Sequence, residues 1–363
     1  MGIIKILNGA LVHKNVTIYL LSFLSLHGII KKINKRKEQT MKKQYFLVLD
    51  TETATVPFIN DYPATDKERK NIAIAKPLIY DIGWMIIDRK GVIVETANYL
   101  VQETFFVPAV FNTAYYREKR PHYMAMYNGK QIGSANWKTI IEKLAYAMQK
   151  VDYIAAANAC FDFKKAIPFT HRYIKALYSE NYQAWEDSQR NSIKAILNGA
   201  ECPKNDEYMI PTFSINGISR PIIDIWGLAC KRLIDTNKYR NWAIQNRRLS
   251  PSGLYFSTTV ETVVQYLHND GKYIESHTAL DDARDEAEIL VKCLKRGKAE
   301  PHLEAFPFRQ LGGTVGFAKK TSEQNKEIVK EFLEKYARKL EQDGKDNTRF
   351  YTQILNKIEE LMN

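Results

Sequence analysis

Phe46-Leu-Val-Leu-Asp-Thr-Glu-Thr53 is an apolar run that stops on two carboxylates one residue apart. A short apolar run bounded by polar residues suits a buried central strand. Alternate strand residues point to the same side, so Asp50 and Glu52 should converge just beyond the strand's end. Two convergent carboxylates invite a hard divalent cation such as Mg²⁺, which takes oxygen ligands from one or two acids and from substrate phosphates. Alone the pair says little, since a turn acid and an N-capping acid after a strand look the same.

The chain has 363 residues, 45% hydrophobic and 26% charged, an ordinary globular composition. Cys160, Cys202, Cys230 and Cys293 are scattered and form no Cys-x-x-Cys, which argues against a structural zinc or a disulfide framework. A reducing compartment, the cytoplasm, is expected. The net charge of +12 points to a polyanionic partner, although residues 1–40 hold seven Lys/Arg and one Glu and so carry half of it. That leader contains the apolar run Thr17–Leu26, too short to span a membrane, with five of its seven cations behind it. Arg36-Lys37-Glu38 can be encoded by AGG-AAG-GAG, a ribosome-binding sequence upstream of Met41. The leader therefore reads as untranslated upstream sequence, with a membrane-associated anchor as the alternative; stable membrane association is not expected.

Downstream, Val56 to Lys76 reads as a long basic connection, and Leu78–Ile87 and Val92–Val101 as strands of a meander joined by Asp88-Arg-Lys-Gly91. Trp137 to Val151 has amphipathic helical spacing, and Tyr153–Ala157 reads as a strand. Asn158-Ala-Cys-Phe-Asp162 then leads into a helical stretch, Asn191 to Ile218 reads as an irregular insertion, and Pro221–Trp226 as another strand. A helix is expected from about Glu275, with acids crowding its first turns and Lys292, Lys295 and Arg296 its end, as the macrodipole favours. Two patches interleave aromatics with cations, Tyr115 to Tyr123 and Lys238 to Arg248, a mixture suited to stacking on bases and holding phosphates. Residues 298–320 read as a linker and 321–363 as a charged helical tail, leaving 41–297 as the main domain.

Three acidic signals gain force in combination: Asp50-x-Glu52, Asn158-x-x-Phe-Asp162 and His277-x-Ala-x-x-Asp282. In type, spacing and order, from about Tyr45 to Lys295, they resemble the DnaQ-like (DEDDh) 3′-to-5′ exonuclease family. Ala157 departs from the pattern, since many members have His before the Asn; no metal ligand is lost by it. The resemblance implies an α/β fold of ribonuclease H-like type, a mixed five-stranded sheet flanked by helices, here with a helical C-terminal appendage. It implies that Asp50, Glu52, Asp162 and Asp282 hold two Mg²⁺ or Mn²⁺ ions and that His277 is the general base. The chemistry is consistent, because two cations would neutralise four acids and stabilise both oxygens of a phosphodiester displacement. Thr51, Thr53, Asn158 and Phe161 beside the acids, and Arg247 and Arg248 in the second patch, are the expected nucleic-acid contacts. The implied substrate is a single-stranded 3′ end, DNA first and an RNA-trimming activity as the alternative. A polymerase or another replication or repair protein is the expected protein partner, and no small-molecule cofactor is called for. The rival outside enzymes is a non-catalytic nucleic-acid-binding or polymerase accessory subunit.

Overall fold

The computed structural model describes residues 43–199, 211–300, 306–343 and 347–363, so the expectation for the leader lies outside the described residues. Residues 45–363 form one compact unit. Strand β1 (Tyr45–Thr55) is its axis. Leu47 and Leu49 join one hydrophobic cluster, Phe46 and Val48 another, so β1 is covered on both faces and needs no polar alternation until Asp50.

A 3₁₀ turn (Pro57–Asp61) and helix α1 (Asp66–Ala75) follow, then β2 (Pro77–Asp88) and β3 (Ile93–Val101). The segment read as a basic connection is therefore largely helical. Its signal was present, a capping box in which Thr65 Oγ1 accepts from the Glu68 amide while Glu68 Oε2 accepts from the Thr65 amide. Next come α2 (Arg120–Asn128), the short β4 (Gly133–Ala135), α3 (Trp137–Gln149) and β5 (Tyr153–Ala156). A π-helical turn (Phe161–Ala166) runs into α4 (Ile167–Leu177), followed by α5 (Tyr182–Leu197), β6 (Thr212–Ile215) and β7 (Ile218–Asp224). The part of 191–218 expected to be irregular is thus a helix end and a strand, with residues 200–210 outside the described chain.

Helices α6 (Asn237–Gln245), α7 (Val260–His268) and α8 (Ala279–Leu294) complete the main body. Helix α8 begins at Ala279, four residues after Glu275, which leaves Glu275 and His277 on the loop before it; for His277 that is the expected place, since a five-residue step from Asp282 turns by about 140° and off its helix face. Helices α9 (Glu323–Asp343) and α10 (Thr348–Met362) close the chain. Both fall where the charged tail was expected to be helical, and they pack against the main body. Val329, Leu333, Ala337 and Leu340 of α9 and Ile354 and Leu361 of α10 belong to the second cluster, an apolar stripe that the abundant charge obscures in the sequence.

The sheet has seven strands, not five, in the order β4-β3-β2-β1-β5-β7-β6. Its five central strands are the five segments read as strands from the sequence; β4, only three residues long, and β6 add an edge on either side. Strand β2 runs antiparallel to β1, and β5 and β7 run parallel to it. Among the described residues no helix is long and apolar enough to cross a membrane, and the buried Cys230 and Cys293 are free thiols.

Helix α8 lies directly on β1 and β2 because of one missing side chain. Gly83 pairs with Asp50, and a Cβ built on it would fall 2.3 Å from the Leu280 nitrogen and 2.6 Å from the Ala279 carbonyl carbon. Gly83→Ala must therefore lift the first turn of α8, and a loss of about 1–3 kcal/mol is expected, the usual range for overpacking. Urea unfolding checks it; an unchanged midpoint would mean that the helix tolerates the methyl group without moving.

Candidate functional site

Strand β1 outruns its parallel neighbour. It pairs with β5 only through Phe46, Val48 and the residue between them, but with β2 to its last residue, Thr55. Asp50 and Glu52 therefore sit inside a strand, contrary to the expectation that they lie beyond its end. They do lie past the carboxyl end of β5, the place where open α/β sheets leave a crevice for ligands. A register shift after Glu52 skips Tyr80 on β2, a bulge beside the second carboxylate of the kind that re-aims side chains near functional sites.

The first turn of α8 and the loop before it deliver two more groups, Asp282 and His277. Asp81, paired with Glu52 across the strands, is fully buried and its Oδ2 accepts from the Ala279 amide at 2.9 Å, fixing the helix start from the sheet. Asp282, 5% exposed, accepts at Oδ1 from the His277 amide (3.1 Å) and the Ser276 hydroxyl (3.3 Å). His277 is held in the left-handed region, φ +53°, which is uncommon outside glycine. Its ring stacks on Tyr116 with centroids 4.1 Å apart, its carbonyl accepts from the Tyr123 hydroxyl at 2.9 Å, and Lys119 Nζ donates to the adjacent Ser276 carbonyl at 2.5 Å. The first aromatic and basic patch thus builds the wall behind His277. Asp281 faces away, accepting from Thr278 Oγ1 at 2.9 Å and pairing with Arg284.

Asp162 arrives from the π-helical turn after β5 and is 2% exposed. Thr51 Oγ1, reaching across from β1, donates to its Oδ1 at 2.5 Å. The preceding loop is tied down by Asp224, whose Oδ1 accepts from the Asn158 amide (3.2 Å) and from Trp226 (2.9 Å) in the helix that follows β7. Asn158 itself has φ +55° and lines a cavity of about 360 Å³ with Asp50, Trp226, Glu275 and Glu286. Thr53 lies half-buried on β1, and Phe161 is half-buried against the first cluster.

Two groups of ligand atoms lie within 4.8 Å of one another among the described residues: Glu52, His277 and Asp282, and Glu275, Asp282 and Asp285. Asp50 and Asp162 complete neither trio. Their coupling to the cluster is electrostatic: burial, then Glu286, Asp162, Glu52 and Asp282 push the Asp50 carboxyl well above its ordinary range. Burial and then Asp282 and Asp81 do the same to Glu52, against Lys119, while burial lifts Asp162 to about 7 despite Thr51. Asp282 rises to about 8, by burial first and then by Glu275 and Asp285. Burial and Lys119 lower His277 below the usual imidazole value. Several recessed acids lifted together are a strained arrangement without positive charge. The carboxylate-rich donor set and the hydrogen-bond-free, buried Oε2 of Glu286 fit hard divalent cations.

Sequence reading missed Asp81, Asp224, Glu275 and Glu286. Asp81 hides in an apolar strand and Asp224 resembles a turn acid; Glu286 passed for a helix-dipole acid, and only its i+4 spacing from Asp282 marks it as sharing that face. The second patch fares differently from the first. Arg247 forks onto Glu331 of α9 at 2.7 and 2.8 Å, and Arg248 donates to the Gly271 carbonyl at 2.7 Å; neither lines the cavity beside the acids. No protein-family model matches the chain, and no curated protein matches it.

Proposed function

We propose that the chain is a metal-dependent 3′-to-5′ exonuclease of the DnaQ-like kind, hydrolysing phosphodiester bonds at a single-stranded 3′ end. The observation that carries this reading is convergence. Glu52 from β1 and His277 and Asp282 from the start of α8, more than two hundred residues away in sequence, present ligand atoms within 4.8 Å of one another. Asp50 lies on the same side of β1, and Thr51 links that strand to Asp162. A mixed sheet with helices over both faces suits the ribonuclease H-like form of the fold.

Two divalent cations bound there would supply Lewis-acid stabilisation of the attacking and leaving oxygens. The residues around them do the rest. Asp50, Glu52, Asp162 and Asp282 are the ligands, Thr51 fixes the orientation of Asp162, and Asp81 and Gly83 fix the height of α8. His277, lowered below the ordinary imidazole value, stands largely neutral at pH 7 and so can take a proton from the attacking water. Tyr116 holds its ring in place by stacking.

The test is a time course on 5′-labelled single-stranded DNA, duplex DNA and RNA with Mg²⁺, Mn²⁺ or EDTA. Stepwise shortening from the 3′ end, abolished by EDTA, is expected on single-stranded DNA. Shortening confined to RNA would move the reading to an RNA-trimming enzyme. Binding without cleavage under every metal condition would replace it with a non-catalytic nucleic-acid-binding module.

A further inference from the structure

We propose that Glu286 is a fifth carboxylate of this centre and ligates a divalent cation on the side of the cluster where Asp50 and Asp162 lie. This rests on the exonuclease reading and adds to it a residue that the four-acid pattern does not contain.

Four residues of α-helix advance about 6 Å and return to nearly the same face, so Glu286 stands one turn deeper than Asp282 along the side of α8 that covers the sheet. It is 3% exposed and borders the same cavity as Asp50 and Asn158. Its Oε2 is buried without a hydrogen-bond partner, whereas the Ala157 amide, at the end of β5, donates to the carboxylate. The charges acting most strongly on it are Asp162, Asp282 and Glu275, all acidic. In turn it is the strongest charged neighbour of Asp50. A buried acid with an uncommitted oxygen, surrounded by acids and facing a cavity, lacks only positive charge. A hard cation supplies that, and at the depth of Glu286 it would lie apart from the trio of Glu52, His277 and Asp282.

The competing account is a buried acid that keeps its proton and merely fills space. Glu286→Gln separates the two, because it preserves the shape of the neutral acid while removing an anionic ligand. Mn²⁺ binding to the full chain is measured at pH 7.5 by titration calorimetry and by the electron paramagnetic resonance of free Mn²⁺. The wild type is expected to take up two ions, and Glu286→Gln to weaken one of the two steps by about 10–100-fold with the other unchanged. Glu286→Asp, which keeps the charge but withdraws it by one methylene, is expected to weaken the same step by less.

Two wild-type uptake steps with both unaltered in Glu286→Gln would overturn the role of Glu286 and leave the exonuclease reading standing. A wild-type chain that binds no Mn²⁺ and cleaves nothing would overturn both.

Discussion

Asp282→Asn is expected to reduce cation-dependent strand cleavage by roughly 10³-fold or more, the scale of losing one member of a catalytic set. Asp281→Asn, its neighbour, should keep most of the activity. A helix-dipole account treats these two first-turn acids almost alike, since both oppose the same partial charge. The structure separates them. Asp282 is buried beside Glu52 and His277, whereas Asp281 caps Thr278 and pairs with Arg284 on a surface where its side chain is 42% exposed. Removing one charge from Asp282 takes a ligand from the cluster and weakens its hold on the His277 amide. Removing one from Asp281 costs a surface dipole and ion-pair contribution of about 0.3–1 kcal/mol. Initial rates on 5′-labelled single-stranded DNA, with circular dichroism to verify folding, decide the matter. Equal damage from both substitutions, or greater damage from Asp281→Asn, would remove Asp282 from the ligand set.

What made the main acids legible was that each stands beside a segment whose pattern is strong. An apolar run leads to Asp50, a strand and loop lead to Asp162, and a helix with a clear three-and-four spacing carries Asp282. The supporting acids had no such signature. Asp81 is useful because Glu52 and Gly83 happen to be its neighbours across and along the sheet, and register is not written in a single strand. Glu286 needed the knowledge that α8 turns that face toward the sheet. The two helices of the tail were legible but their docking was not, because a helix with charge on most of its surface needs only a narrow apolar stripe to dock. In the patches, the sequence showed that aromatics and cations alternate but not which of them would be committed to intramolecular bonds, as Arg247 is to Glu331.

The sign of the protein's pH dependence is expected to change with its cations. In their absence, burial holds Asp162 up at about 7 and Asp282 at about 8, with Asp81, Asp224 and Glu275 each near 7 for the same leading reason. An acid raised on folding binds more protons in the native than in the unfolded state between its unfolded value, about 4, and its folded value. Its stabilisation is complete below the lower value and lost as pH rises through the upper one. Each such group contributes a slope of up to about 1.4 kcal/mol per pH unit, so the protein in EDTA should lose stability from pH 5 to pH 8. His277, lowered on folding, opposes this by one group, since its contribution is lost as pH falls. Saturating Mn²⁺ should hold the cluster acids ionised and remove their share of the slope, leaving mainly Asp81 and Asp224, which cap backbone amides and are no ligands in this reading. Binding at 100 times the dissociation constant stabilises by about 2.7 kcal/mol per ion, or roughly 3–5 °C per ion in melting temperature for a chain of this size. The gap between Mn²⁺ and EDTA melting curves should therefore widen from pH 5.5 to pH 8. Identical curves at pH 8, or a protein in EDTA that gains stability as pH rises, would show that these acids are not gathered to hold a cation.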